Sequence, residues 1–481
     1  MIRPNLLLIL LLVHLGQIDG WAQANFSELV LDKSVALGNL ENKEGIDNHF
    51  DIYNRITSRS TIEKTDTIAY SNTTFSAPKD YYNYHFVNPV DFNRVEFQAV
   101  FDFSLSHCFQ PVNWHQSVFY SEAFFTWSKF DEEVVFSRTT FKKNVDFIRI
   151  VFDQDADFFQ SNFHGVADFY GTKFNKGLNF INSNFYTAAI YSFAIFNGDA
   201  NFRNAAFSGK TLFNNSELNS TVDFSGTQFD SIVDFSGCSI NGNLIFDNVT
   251  LPSFLDFSNI SNIKNTLDLT EVKPSEKYRV CKINLLNTDI SKIKMRYDNF
   301  RLWFPENTSY DAKCNVYNAL LTSFQNYGFQ TSYEKLDIEF QEFKFLANDQ
   351  KIRNHFQKIW WNYGYDKGAI FAWVLWIVSI LTLINTLFIN VLMGKIYEIS
   401  FLNYEKIKAR FKLHHPILSF CLNIPTGFLY TLILLIGGAF GMGFNSSQIK
   451  FPNFIGLIYI ITIGLLGISC TAFMLNYLFE L

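Results

Sequence analysis

Three aspartates, Asp153, Asp155 and Asp157, form an Asp-x-Asp-x-Asp triplet of the kind that opens a calcium-binding loop. Such a loop wraps carboxylate and carbonyl oxygens around a hard cation. It needs Gly at its sixth position and Glu at its twelfth, and this chain has Phe158 and His164 there. The triplet therefore reads as something other than a calcium site. His107, Cys108 and His115 are near one another in sequence, but Cys108 falls where an inward side chain is expected. The chain shows no Ser-His-Asp arrangement, Gly-rich phosphate loop or His-Glu-x-x-His motif. No catalytic, cofactor-binding or metal-binding residue is singled out, and a non-enzymatic protein without a cofactor is expected. Of the six cysteines, only Cys281 and Cys314 could pair in an exported domain.

The elements that carry these residues follow from an excess of phenylalanine, 55 in 481 residues. An aromatic side chain recurs at every eleventh position: Phe92, Phe103, Trp114, Phe125, Phe136, Phe147, Phe158, Phe169, Phe180, Tyr191, Phe202, Phe213, Phe224, Phe235, Phe246 and Phe257. A second track, from Phe97 through Cys108 and Phe119 to Leu251, runs five positions behind it. Together the two tracks hold 25 of the 55 Phe. Apolar centres thus alternate at spacings of five and six, which fits neither a helix nor a lone strand. Self-similarity at a fixed period marks a solenoid. Two positions before each first-track ring the side chain is apolar or small, as at Val90, Ala123 and Val134. One position before, Asp or Asn stands in eleven of sixteen units.

This Ala/Val, Asp/Asn, Phe pattern resembles the pentapeptide-repeat family in its Phe-centred variant, over roughly residues 90–262. The resemblance implies a right-handed quadrilateral β-helix, a β-solenoid with four faces per coil. One coil would take two of the eleven-residue units, which makes about eight coils here. Rings two units apart would stack at the inter-strand spacing of about 4.8 Å. The aspartates would bond backbone at the corners. The expected organisation is a β-helix over 86–310 with irregular last coils and a register-free N-terminal cap over 25–85. An α-helical collar follows over 311–367. In the collar, Val316, Tyr317, Leu320, Leu321 and Phe324 follow helical spacing, as do Tyr333, Leu336, Phe340 and Phe343. Gly328 is placed to end the first of two helices that would cover the open end of the β-helix.

The ends of the chain place it. Residues 1–24 read as a secretory signal peptide, an apolar run followed by Ala22-Gln23-Ala24. Residues 368–481 carry three apolar segments, read as transmembrane helices at 368–394, 418–440 and 453–478. Trp360, Trp361, Tyr363 and Tyr365 stand where an aromatic belt belongs. An integral protein of the cell envelope is expected, with a periplasmic or extracellular ectodomain. The linker 395–415, rich in Lys and Arg, would then be cytoplasmic.

The C-terminal part also weakly resembles the pore module of two-helix potassium-type channels. Gly441 and Gly443 would match filter glycines, and Gly464 and Gly467 the bend of an inner helix. No Thr precedes these glycines and no Asp follows them. Export of the ladder would also make a re-entrant loop enter from the wrong side. Three packed spans are the favoured reading, with the glycines allowing close approach. An ion-channel-like protein, forming a homo-oligomer, is the alternative. The expected partners are membrane lipid and an unidentified protein. Nucleic acid is not expected, because the net charge is −6.

Overall fold

The computed structural model describes residues 62–399, 402–411, 416–440 and 454–479. The expected signal peptide over 1–24 and the filter-like Gly441 and Gly443 lie outside those residues. The chain divides into two units, the first ending at Phe329 and the second running from Gln330 to Leu481.

In the first unit, short strands line four parallel sheets of ten, nine, eight and eleven strands. Consecutive strands lie in different sheets. A strand in the regular part pairs with the fourth one after it, so Val112 lies beside Val134, Val118 beside Thr140, Ala123 beside Val145, and Lys129 beside Val151. Four strands therefore make one turn, two eleven-residue units long, as the family resemblance implies. The solenoid has about eleven turns rather than eight.

The extra turns come partly from residues expected to cap the ladder. Residues 62–85 are not register-free. Ile62 pairs with Tyr84, Ile68 with Val90, Thr74 with Glu96 and Lys79 with Phe101. The first track continues upstream as Tyr81 and Tyr70, and the second as Phe86 and Phe75, with the period unchanged. Tyr70 stacks on Phe92 at 6.1 Å and Phe75 on Phe97 at 5.6 Å. The rings keep the period here, while Lys79 stands two before Tyr81 where the repeat elsewhere has a small or apolar residue.

Most strands are only two residues long, since only the ring and the residue two before it must point inward. The first-track rings from Phe92 to Phe257 are all essentially inaccessible to solvent. Down each column most of them stack nearly parallel, as Phe136 does on Phe158 at 4.9 Å and 5° and Phe158 on Phe180 at 4.7 Å and 15°, while Phe103–Phe125 and Phe224–Phe246 are tilted. Between the two first-track columns they meet edge to face, as Phe147 does Phe158 at 5.5 Å and 82°. Both geometries suit the ring quadrupole.

The corners are built from two devices. After each first-track ring the chain makes a tight turn whose third residue has positive φ, in a series that runs from Asn72 to Asn259 with the period of the rings. The preceding residues are absent from the positive-φ set, which is the type II pattern. Asn and Gly serve there at Asn83, Gly171, Asn182 and Gly226, while Leu105, Trp127 and Phe193 accept the left-handed strain. The Asp or Asn before the ring accepts a hydrogen bond from the amide two residues on: Asp102 from Ser104 at 2.9 Å, Asp157 from Phe159 at 3.0 Å, Asn179 from Ile181 at 3.0 Å.

A further buried register leaves no mark in the aromatic spacing. Two positions before the second track stand Ser117, Ser128, Thr139, Ser161, Thr172 and Ser183, all buried. Each hydroxyl donates to the carbonyl of a first-track ring residue in the preceding turn, as Thr139 does to Trp114 and Ser161 to Phe136, both at 2.7 Å. Cys238 takes the same place, its thiol donating to the Phe213 carbonyl at 2.9 Å.

Past Phe257 the step becomes irregular. Leu255 pairs with Ile283, a longer step, and Lys282 with Arg301, a shorter one. Helix α1, Tyr310–Tyr327, then turns its buried face onto these last coils. Its N-cap is Ser309 and its C-cap is Gly328 in the left-handed conformation. Phe324 meets Tyr297 at 6.2 Å, Tyr317 meets Phe304 at 5.8 Å, and Ser323 donates to the Ile293 carbonyl. The first expected collar helix thus closes the apolar end of the core.

The second unit is helical: α2 (Gln330–Ala347), α3 (Lys351–Trp361), α4 (Lys367–Lys395), α5 (Tyr404–Phe411), α6 (Pro416–Phe440) and α7 (Phe454–Phe479). The spacing predicts two helices between solenoid and spans, and α3 is a third. Two stretches, Gly368–Lys395 and Ile417–Gly437, are long and apolar enough to cross a membrane, and Ile458–Ala472 is a shorter apolar stretch of α7.

The packing can be tested at one ring and one corner. Phe158→Ala opens a hole in a column with rings above and below, and should cost about 3–5 kcal/mol in a denaturation experiment. Asp168 is the corner. Burial pushes its carboxyl up to about 6, and Asp146 one turn away adds to the shift. The folded state therefore favours the protonated form. That contribution is full below the unfolded value near 4 and is lost as pH rises through 6. Asp168→Asn keeps the acceptor for the Tyr170 amide. It should stabilise by on the order of 1–2 kcal/mol at pH 7.5 and by almost nothing at pH 4, read from melting curves at both pH values.

Candidate functional site

The residues with metal-ligand chemistry are dispersed by the fold. Asp157 sits at a corner, accepting from the Phe159 backbone amide at 3.0 Å and from the Asn179 side chain at 2.9 Å. Asp155 accepts from the Gly177 amide at 2.8 Å. Asp153 pairs with Lys129 at 3.1 Å and accepts from Asn175 at 2.7 Å. Cys108 points into the core, where burial pushes its thiol well up. His107 points outward to Asp131 at 2.8 Å, and His115 bonds the Ser137 hydroxyl at 2.8 Å. Among the described residues, no cluster of His, Cys, Asp and Glu could hold a metal ion. Cys281 and Cys314 are both free thiols.

Outward side chains instead form a continuous polar column along the ten-stranded sheet. It begins with His107, Asp131, Lys129 and Asp153, with Lys129 joined to Asp131 at 2.6 Å. Desolvation lowers the His107 pKa, although the Asp131 carboxylate works against this. Asn175 then donates to Asp153, Asn197 to Asn175, Asn219 to Asn197, Asn241 to Asn219 and Asn262 to Asn241, each at 2.7–2.9 Å. Every step is one turn of the solenoid. The two-residue strand makes this possible, because its second-track residue points in and the residues on either side of it point out at the same height in each turn. A corner adds an aromatic and cationic group, with the Arg149 guanidinium 4.8 Å from the Trp127 ring and 5.9 Å from Tyr170.

The second unit holds a different constellation. Asn385 of α4, Thr431 of α6 and Tyr459 of α7 meet inside the apolar bundle. Tyr459 donates to the Asn385 side-chain oxygen at 2.5 Å. The Asn385 amide donates to the Thr431 hydroxyl at 2.8 Å, which donates to the Gly427 carbonyl at 2.8 Å. Asn385 and Thr431 are fully buried. None of the three side chains is charged, so charge patterning in the sequence does not reveal the group. It can fasten three helices in an apolar medium, where an unpaired amide would be costly. Gly467, considered as a bend in an inner helix, packs against α6: a Cβ there would stand 2.1 Å from the Leu435 carbonyl oxygen. Gly464 is buried in the same helix. Close approach is the role the packing gives Gly467.

Asn385→Leu should destabilise the helical unit by about 1–3 kcal/mol, because it leaves the Tyr459 hydroxyl without its acceptor. Adding Tyr459→Phe should recover part of the loss. Unfolding in mixed detergent measures both, and fully additive effects would show that the two residues are uncoupled.

No curated protein and no solved structure matches the chain. The family described as pentapeptide repeats (nine copies) matches residues 158–206 and 202–250. Those residues lie in the regular turns of the solenoid, and over them the chain is similar in sequence to that family.

Proposed function

We propose that this is a membrane-anchored pentapeptide-repeat protein whose β-helix is exported and acts as a structural or protein-binding module at the cell envelope. The observation that carries this reading is the polar column from His107 to Asn262, a rigid outward surface repeated at the height of each turn. Its groups are hydrogen-bonded to one another, which suits recognition of an extended partner better than chemistry on a small molecule. The second unit supports anchoring. Of its two long apolar helices, α4 presents Leu375, Trp376, Leu383, Leu387 and Phe388 outward, while Asn385 of α4 and Thr431 of α6 are turned inward. That is the distribution a lipid solvent requires. The linker carrying Lys406, Lys408 and Arg410 fits a cytoplasmic side, and three spans would put the C-terminus on that side too.

The topology is tested in intact cells with a membrane-impermeant amine reagent and a C-terminal epitope tag. Lys142, exposed on the solenoid, should be labelled without permeabilisation, whereas the tag should be detected only after it. An external tag would replace three spans by a re-entrant segment. Reproducible single-channel currents from the purified protein in planar bilayers would replace the structural reading with the channel-like one.

A further inference from the structure

Helix α3 turns its apolar face away from the rest of its unit. Asn354 is its one buried residue, and it accepts from the Tyr363 hydroxyl. On the opposite side Ile352, Phe356 and Ile359, at i, i+4 and i+7, are 89%, 48% and 46% exposed. Trp360 borders this stripe and stacks on Phe356 at 5.4 Å. The charges on the helix are all basic. Lys351, Arg353 and Lys358 are joined by His355, with no acidic residue between Lys351 and Trp361. The acidic groups facing them from neighbouring segments are Glu342 of α2, 2.9 Å from Lys358, and Asp349, 3.6 Å from Lys351 and itself highly exposed. Arg353 leans on the Phe345 ring at 5.4 Å.

The position of this helix is fixed from its C-terminal end. Only 362–366 separate it from α4, the first long apolar helix. The Trp373 indole of α4 donates to the Ile359 carbonyl at 2.9 Å, and Trp360 stacks on Trp373 at 6.2 Å. If α4 crosses a bilayer, α3 is held within one or two helical turns of the surface. A short helix with a bare apolar stripe, basic flanks and tryptophan at its edge is the composition of a helix lying in the headgroup region.

We infer that α3 is an interfacial membrane helix, seating Ile352, Phe356 and Ile359 among acyl chains and Lys351 and Arg353 among anionic lipid headgroups. This rests on the anchoring reading above and specifies the lipid class that the anchor prefers. It assigns the aromatic residues before the span to a built surface rather than to a simple belt.

The test uses the full chain in lipid vesicles, with a genetically encoded dansyl amino acid in place of Phe356 or, separately, of Leu383 in mid-span. Nitroxide lipids report depth. At position 356 the emission should be blue-shifted and quenched best by a shallow nitroxide, and at 383 by a deep one. Adding phosphatidylglycerol to phosphatidylcholine vesicles should strengthen quenching at 356, and K351Q/R353Q should abolish that gain. Quenching at 383 with an aqueous spectrum at 356 overturns the inference and leaves the anchor standing. An aqueous spectrum at both positions overturns the anchor and the inference together. Quenching at 356 that is indifferent to phosphatidylglycerol overturns the anionic preference.

Discussion

Ring stacking at the inter-strand spacing is the constraint on which the solenoid depends. Parallel backbones in register can sit only about 4.8 Å apart. Whatever points inward on one turn must therefore lie directly on its counterpart in the next. A planar ring answers that demand well, since Phe147 rests on Phe169 at 4.8 Å and Phe163 on Phe185 at 4.6 Å, both nearly parallel. A branched aliphatic chain would fill the same height less evenly. Once rings are chosen, the period is locked, because a single inserted residue shifts every later side chain to a new height and face. The corner aspartates, the left-handed turn residues and the buried hydroxyls are all consequences of holding every turn to the same length.

That discipline has a cost at the corners. A carboxylate placed one per turn meets its like above and below, so Asp146 and Asp168 oppose each other and burial raises both. Asn at 179 and 201 relieves the same position without charge. The outer column resolves the repetition differently. Alternating acid and base from His107 to Asp153 gives way to amides, which can donate and accept along a stack indefinitely. One face of the molecule thereby becomes a regular polar surface, and it is the part of the fold free to vary without disturbing the core.

Much of this is legible in the sequence because the period is short and phenylalanine is conspicuous. The inward tracks, the corner bonds and the cap at Gly328 follow from residue spacing, while the four faces and the two-unit turn follow from the family resemblance. What spacing does not show lies in residues whose identity does not announce their role. Tyr70 and Tyr81 continue the ladder where the flanking residues depart from the repeat, as Lys79 does. Ser117 and Thr139 look like surface residues until the turn places their hydroxyls under a carbonyl. Asn385, Thr431 and Tyr459 lie in three helices far apart in the chain, and only tertiary packing joins them. Helix α3 falls between two recognisable patterns and is short enough to read as linker.

The chain advances by one strand spacing for every four strands, and a distance measurement addresses this directly. Tyr120, Ser208 and Asp230 occupy equivalent outward positions on one face. Spin labels introduced as genetically encoded amino acids at 120 and 208 are four turns apart, and those at 120 and 230 five turns apart. The expected label separations are about 19 Å and about 24 Å, a step of roughly 5 Å for one added turn. Equal separations, or a step unrelated to the added turn, would contradict it.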